Sequence, residues 1–134
     1  MIKKLRISSK LSNLSIVENA VDRITKDAGI KQENYGKILV SIMEAVNNAI
    51  IHGNKYDERK FVDIEIIIEN KSLLVIVADQ GRGFKYEEVP DPTEPDNIEK
   101  VNGRGVFLMS KLADEIKFNR KGNSVEMTFK NILS

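Results

Sequence analysis

The chain has 134 residues, 41% hydrophobic and 31% charged, with 21 basic against 20 acidic side chains and a formal net charge of +1. That balance suits a soluble folded protein and gives no electrostatic footprint for direct nucleic-acid contact or an anionic membrane. The sequence has no cysteine and one histidine, His52, which excludes disulfides, thiolate metal sites and a histidine-built metal centre.

A chain of this length reads as one domain over residues 1–134, able to bury roughly two thirds of its unfolded surface without staples. The opening MIKKLRISSK lacks the apolar core of a signal peptide, and no run approaches a membrane span. A cytoplasmic protein is the expectation.

Residues 3–8 alternate, with Leu5 and Ile7 on one face, and predict a short strand. Residues 11–28 carry Leu14, Val17, Val21, Ile24 and Ala28 at helical intervals and predict an amphipathic helix stopped by Gly29. A second helix is expected over 32–52, ended by Gly53 and Asn54. Its main stripe is Ile38, Leu39, Ile42, Met43, Val46, Ala49 and Ile50, which needs a sheet to pack on. Glu44 and Asn48 stand one turn apart on another face. Val40 and Ile51 lie beside them, so that face is expected to be covered too. Residues 55–60 read as a polar loop.

Residues 61–69 predict a strand with Val62, Ile64, Ile66 and Ile68 on one face. Asn70-Lys71 separates it from 73–78, so an antiparallel hairpin is expected. The second strand, LLVIVA, is apolar on both faces and should be central in its sheet. It breaks into Asp79-Gln80-Gly81-Arg82-Gly83-Phe84. Residues 85–102 show no periodicity and hold all three prolines, and a loop of this length usually acts as a lid or binding loop. Gly103-Arg104-Gly105 then opens a helix over 106–112. Residues 115–120 and 124–130 predict a closing hairpin about Lys121-Gly122, with Val125, Met127 and Phe129 inward. The fold class expected is α+β: a two-layer sandwich, a mixed or antiparallel sheet with helices on one face.

Three pieces carry chemistry: Glu44-x-x-x-Asn48 on a helix, Asp79-x-Gly81-x-Gly83 at a strand end, and Gly103-x-Gly105 opening a helix. Each alone has a plainer reading. A mid-helix Glu can reach solvent, a DxGxG is often only a turn, a GxG is weak, and a proline-rich loop is usually a linker. Flanking one long loop together, they resemble the GHKL superfamily of ATPases and kinases. EAVNNAIIHGN is similar to its N-box, DQGRGF to its first glycine box and NGRGVFLMSKLADEI to its second. Within that superfamily the short chain, NAIIHGN and GRGVFLM most resemble the anti-sigma-factor serine/threonine kinases of the RsbW and SpoIIAB type.

The resemblance implies the Bergerat, or histidine-kinase-like ATPase, fold and binding of ATP or ADP with Mg²⁺. Asp79 would accept a hydrogen bond from the adenine amine, and Gly81 and Gly83 would let backbone approach the purine. Asn48 would offer its amide oxygen to Mg²⁺. Gly103 and Gly105 would set backbone N–H groups and a helix N-terminus against the phosphates. Residues 85–102 would be the ATP lid. Glu44 would be the general base for an incoming hydroxyl. These kinases often carry a basic residue two places before the second glycine box; that place is Val101 here, which shifts a phosphate contact to Lys100 or Arg104. Asn123 and Ser124 fall where the superfamily often has a threonine near adenine; a hairpin-turn residue is the simpler reading, and Ser124 is the candidate kept. His52 reads as a helix-end residue, favourable to the dipole when charged, and not as a phosphate acceptor.

The partners implied are a STAS-domain antagonist, a sigma factor and a second copy of the chain. Two other functions fit the same residues. One is a non-catalytic, nucleotide-gated protein-binding module, against which the intact Glu44 argues. The other is a water-directed ATPase, disfavoured because no transducer domain follows.

Overall fold

The computed structural model describes residues 1–81, 109–119 and 123–133. Strand β1 (Ile2–Ser8) leads through a single 3₁₀ turn at Leu11–Asn13 into helix α1 (Leu14–Asp27). The Asn13 amide donates back to the Ser8 carbonyl and hydroxyl, fixing the corner between strand and helix. The helix expected from residue 11 therefore starts three residues later. Gly29 ends the segment with φ +71, a left-handed turn that favours glycine.

Helix α2 (Gln32–Asn48) runs into a π-helical turn, Ala49–Gly53. Strands β2 (Phe61–Glu69) and β3 (Ser72–Ala78) follow, then β4 (Glu115–Phe118) and β5 (Ser124–Phe129). The sheet order is β1-β2-β3-β5-β4, and every pairing is antiparallel. β3 is central, as its two apolar faces require. Residues 109–112 are helical, consistent with the end of the third expected helix.

One sheet face meets the helices. Ile7, Val62, Ile64, Ile66, Leu73, Val75, Val77, Val125, Met127 and Phe129 are all buried, and they alternate along their strands as period two demands. From the helix layer come Val17, Val21 and Ile24 of α1 and Ile38, Ile42, Val46 and Ile50 of α2 and its extension. Each such side chain contributes about 1.5–3 kcal/mol over its exposed state. The result is the expected α+β arrangement, with an antiparallel sheet and helices on one face. Val40 departs from expectation. It is 43% exposed, so the apolar cover predicted beside Glu44 and Asn48 is incomplete at the N-terminal end of that face.

The outer sheet face is mixed. Arg6 forks onto Asp63 at 2.7 and 3.0 Å, and its guanidinium lies 4.9 Å from the Phe61 ring centroid. Among the described residues no helix is long and apolar enough to cross a membrane.

Candidate functional site

The site is built where α2 ends against the end of β3. Glu44 and Asn48 sit in the last turns of α2, both half-buried. Their partly open position follows from the stripe around them, because Ala45, Val46, Ala49 and Ile50 take the buried directions. The helix does not stop at Asn48. Its next five residues widen into the π turn, closed by the Asn54 N–H on the Ala49 carbonyl at 2.8 Å. One residue more per turn re-aims His52, Gly53 and Asn54 relative to a continued α-helix, and π turns of this kind are frequent at functional sites.

That turn lays Gly53 against Asp79. A Cβ on Gly53 would stand 2.3 Å from the Asp79 Cγ and Oδ2, so only glycine leaves room for the carboxylate. A Cβ on Gly81 would stand 2.0 Å from the Gly53 carbonyl oxygen. The first glycine of DQGRGF is therefore already required by contact within the chain, a reason separate from any approach to a purine.

Asp79 is held from three sides. Its Oδ1 accepts the Gly81 N–H at 2.8 Å, an Asx-type turn that fixes the side chain. Its own N–H donates to the Asn123 carbonyl at 2.9 Å, and its carbonyl accepts from the Asn123 amide at 3.2 Å. The next residue, Gln80, donates its N–H to the Asn54 Oδ1 at 2.8 Å. Asn123 is in turn set by Asn119 across the β4–β5 turn. The Asn119 amide donates to the Asn123 Oδ1 at 2.8 Å, and the Asn123 N–H donates to the Asn119 Oδ1 at 3.0 Å. Ser124 lies opposite Ala78, one residue short of Asp79, and its N–H donates to Asn119. It is Asn123, not Ser124, that bonds the Asp79 backbone.

The structure thus brings Asp79 and Gly81 to the end of the helix that carries Glu44 and Asn48. Gly83, Lys100, Gly103, Arg104 and Gly105, with the expected lid over 85–102, lie outside the described residues. Sequence reasoning gave Gly53 and Asn54 no contact in this site, and it set Asn123 near adenine only together with Ser124. Gly53 and Asn54 read as the helix stop that closes the N-box, and a hairpin turn is the simpler reading of Asn123. No local pattern announces a long-range hydrogen bond. His52 also differs from expectation. Burial holds its imidazole below the ordinary histidine value of 6.5, so the environment disfavours the charge that a helix C-terminus would welcome.

A family model described as the histidine kinase-like ATPase domain matches residues 7–129. The chain belongs to that family. The match begins near the end of β1 and ends with β5, so α1, α2 and strands β2 to β5 lie within it. Relatives of the family include the serine-protein kinase RsbW of Listeria monocytogenes serovar 1/2a, 29% identical over 92% of this chain and 83% of its own. RsbW of Bacillus subtilis strain 168 is 24% identical over 93% of this chain and 82% of its own. The solved RsbU and RsbW domains of a Mycobacterium tuberculosis protein superpose with a TM-score of 0.72 at 14% identity, over 97% of this chain. This chain spans about a third of that longer one, 32%. The likeness establishes the fold.

Proposed function

We propose that this protein is an ATP-dependent serine/threonine protein kinase of the anti-sigma-factor type. It would phosphorylate a STAS-domain antagonist and bind a sigma factor. The observation that carries the reading is the seating of Asp79 against Gly53, at the end of the helix that presents Glu44 and Asn48. A base-reading carboxylate and a polar pair suited to phosphate chemistry then share one rigid support. The names of the relatives, serine-protein kinases over most of their length, support the reaction class.

Asp79 would read the adenine amine, with Gly81 and Gly83 beside the ring. Asn48 would hold Mg²⁺, which neutralises phosphate charge when bound. Among the described residues no group of three or more His, Asp or Glu side chains is placed to cage a metal. One amide ligand completed by phosphate and water suits that setting. Gly103 and Gly105 would bind the phosphates, with Lys100 or Arg104 adding charge. Ser124 would stand at the edge of the base site. Glu44 would take the proton from the acceptor serine hydroxyl as its oxygen attacks.

Transfer of label from ATP to STAS-domain proteins of the same organism tests this. Wild type should transfer, and Glu44→Gln and Asn48→Ala should each lose about 10²-fold or more in rate. Tight Mg-ATP binding without transfer would instead favour the nucleotide-gated binding module, and steady turnover without an acceptor would favour the water-directed ATPase. Failure of the folded protein to bind Mg-ATP would end all three.

A homodimer through β1 and the start of α1 belongs to the same reading. Ile2, Leu11 and Ile16 are 59%, 42% and 48% exposed, and they supply apolar surface there. Light scattering should report a dimer that Ile16→Glu converts to monomer. A wild-type monomer at high concentration would remove this part of the proposal. A cytoplasmic location completes the assignment, and fractionation of cells checks it.

A further inference from the structure

Asn54 closes the N-box stretch but has no role assigned above, yet it is 1% exposed and its side chain bonds three other segments of the chain. Its Oδ1 accepts the Gln80 N–H at 2.8 Å. Its Nδ2 donates to the Ser9 hydroxyl at 2.8 Å and to the Phe61 carbonyl at 3.0 Å. Two further bonds close the set. The Phe61 N–H donates to the Gln80 Oε1 at 2.6 Å, and the Ser9 hydroxyl donates to the Lys60 carbonyl at 2.8 Å. Asn54, Gln80 and Phe61 therefore form a ring, each bonded to the other two. Ser9 ties that ring to the exit of β1.

We propose that Asn54 is a positioning residue for base recognition: it fixes the loop carrying Asp79 by holding the Gln80 N–H, and it does so from the end of the α2 extension and the start of β2. This rests on the nucleotide reading of Asp79. The physical argument is one of degrees of freedom. Asp79 leaves the sheet at the end of β3, so its peptide is held by strand pairing only on the Asn123 side. On the other side the next N–H has no strand partner and is taken by a side chain instead. Asparagine suits this place because one amide supplies an acceptor for Gln80 and two donors for Ser9 and Phe61. The π turn delivers it there. The Asn54 N–H closes the turn on Ala49, which sets the residue at the foot of β2, with Gly53 facing the carboxylate it helps to orient. Asn54 has no contact with substrate in this scheme. It acts through Gln80 on Asp79.

The test separates positioning from simple support of the fold. Ser9→Ala removes one arm of the network and leaves the Gln80 bond. Asn54→Ala removes all three arms. Affinities of the full chain for Mg-ATP and Mg-ITP, whose base lacks the adenine amine, are measured by calorimetry beside thermal melting. Asp79→Asn serves as the reference for lost base reading. Both network variants should melt lower than wild type. Ser9→Ala should keep the wild-type ratio of ATP to ITP affinity. Asn54→Ala should bind ATP about tenfold more weakly and move that ratio toward the Asp79→Asn value, as loss of one well-placed hydrogen bond implies. An Asn54→Ala protein with a lower melting point but the wild-type ratio would overturn the proposal. If Asn54→Ala does not fold, amide exchange on wild type decides: the Gln80 N–H should exchange as slowly as strand amides, and exchange at a loop rate would overturn it. If wild type binds neither nucleotide, the reading of the site fails, a result distinct from an unchanged ratio.

Discussion

Asp79 has both its backbone groups and its carboxylate engaged by the chain, and each partner comes from a different element. Asn123 takes the peptide from the turn before β5, Gly81 takes Oδ1 from the loop, and Gly53 clears space from the end of the helix. Such a side chain loses little rotamer freedom on meeting a ligand, because folding has already fixed it. His52, one residue before that glycine, carries a pH dependence. Its folded pKa lies below the ordinary 6.5, so the unfolded chain takes up its proton first. Stability from this group is therefore complete above about pH 7 and falls as pH drops through 6.5. Urea melts between about pH 7 and 5.5 should show a smaller loss for His52→Gln than for wild type. Equal losses would mean that the imidazole ionises as freely folded as unfolded.

At the scale of the element, the β2–β3 hairpin turns on Asn70 and Lys71, with φ of +51 and +66. Both positions of the turn are left-handed, the geometry that matches the twist of paired strands. Asparagine tolerates it; lysine carries a Cβ penalty of about 1–2 kcal/mol. Lys71→Gly removes that penalty but adds backbone entropy to the unfolded chain of about 0.5–1 kcal/mol. A net gain of up to about 1.5 kcal/mol is expected, read as a higher urea midpoint at unchanged slope. The bond from the Ile132 N–H to the Lys71 carbonyl should survive, since it needs no side chain. The α2 extension shows the opposite relation between sequence and element. Its apolar spacing is helical through Ile50, and the widening at Ala49–Gly53 leaves that spacing intact while turning the residues after it.

At the scale of the molecule, the two layers are tied together beyond the last strand. Ile132 is 1% exposed. Its carbonyl accepts the Lys31 N–H at 3.1 Å and the Asn34 amide at 3.2 Å, and its N–H bonds Lys71 at 3.0 Å. Leu133 bridges Ile30. One short segment thus clasps the α1–α2 connection to the tip of the β2–β3 hairpin. Ile132→Ala should cost about 2–4 kcal/mol in chemical denaturation, a core-sized loss from a residue outside every strand and helix. A cost under about 0.5 kcal/mol would mark the segment as surface.

The sequence by itself determined the elements, their inward faces, the central place of β3 and the family, because period two, period 3.6 and the glycine-marked boxes are local signals. It also picked out Glu44, Asn48, Asp79 and Gly81, whose residue types and spacing are unusual within those elements. Only the tertiary structure decided that the helix ends in a π turn, that Gly53 makes room for the Asp79 carboxylate, and that Asn54 and Asn123 hold the Asp79 loop from opposite sides. Those contacts join residues 26 to 44 positions apart in the chain. A hydrogen bond across such a distance leaves no periodicity behind, and it exists only once the sheet and the helices have packed.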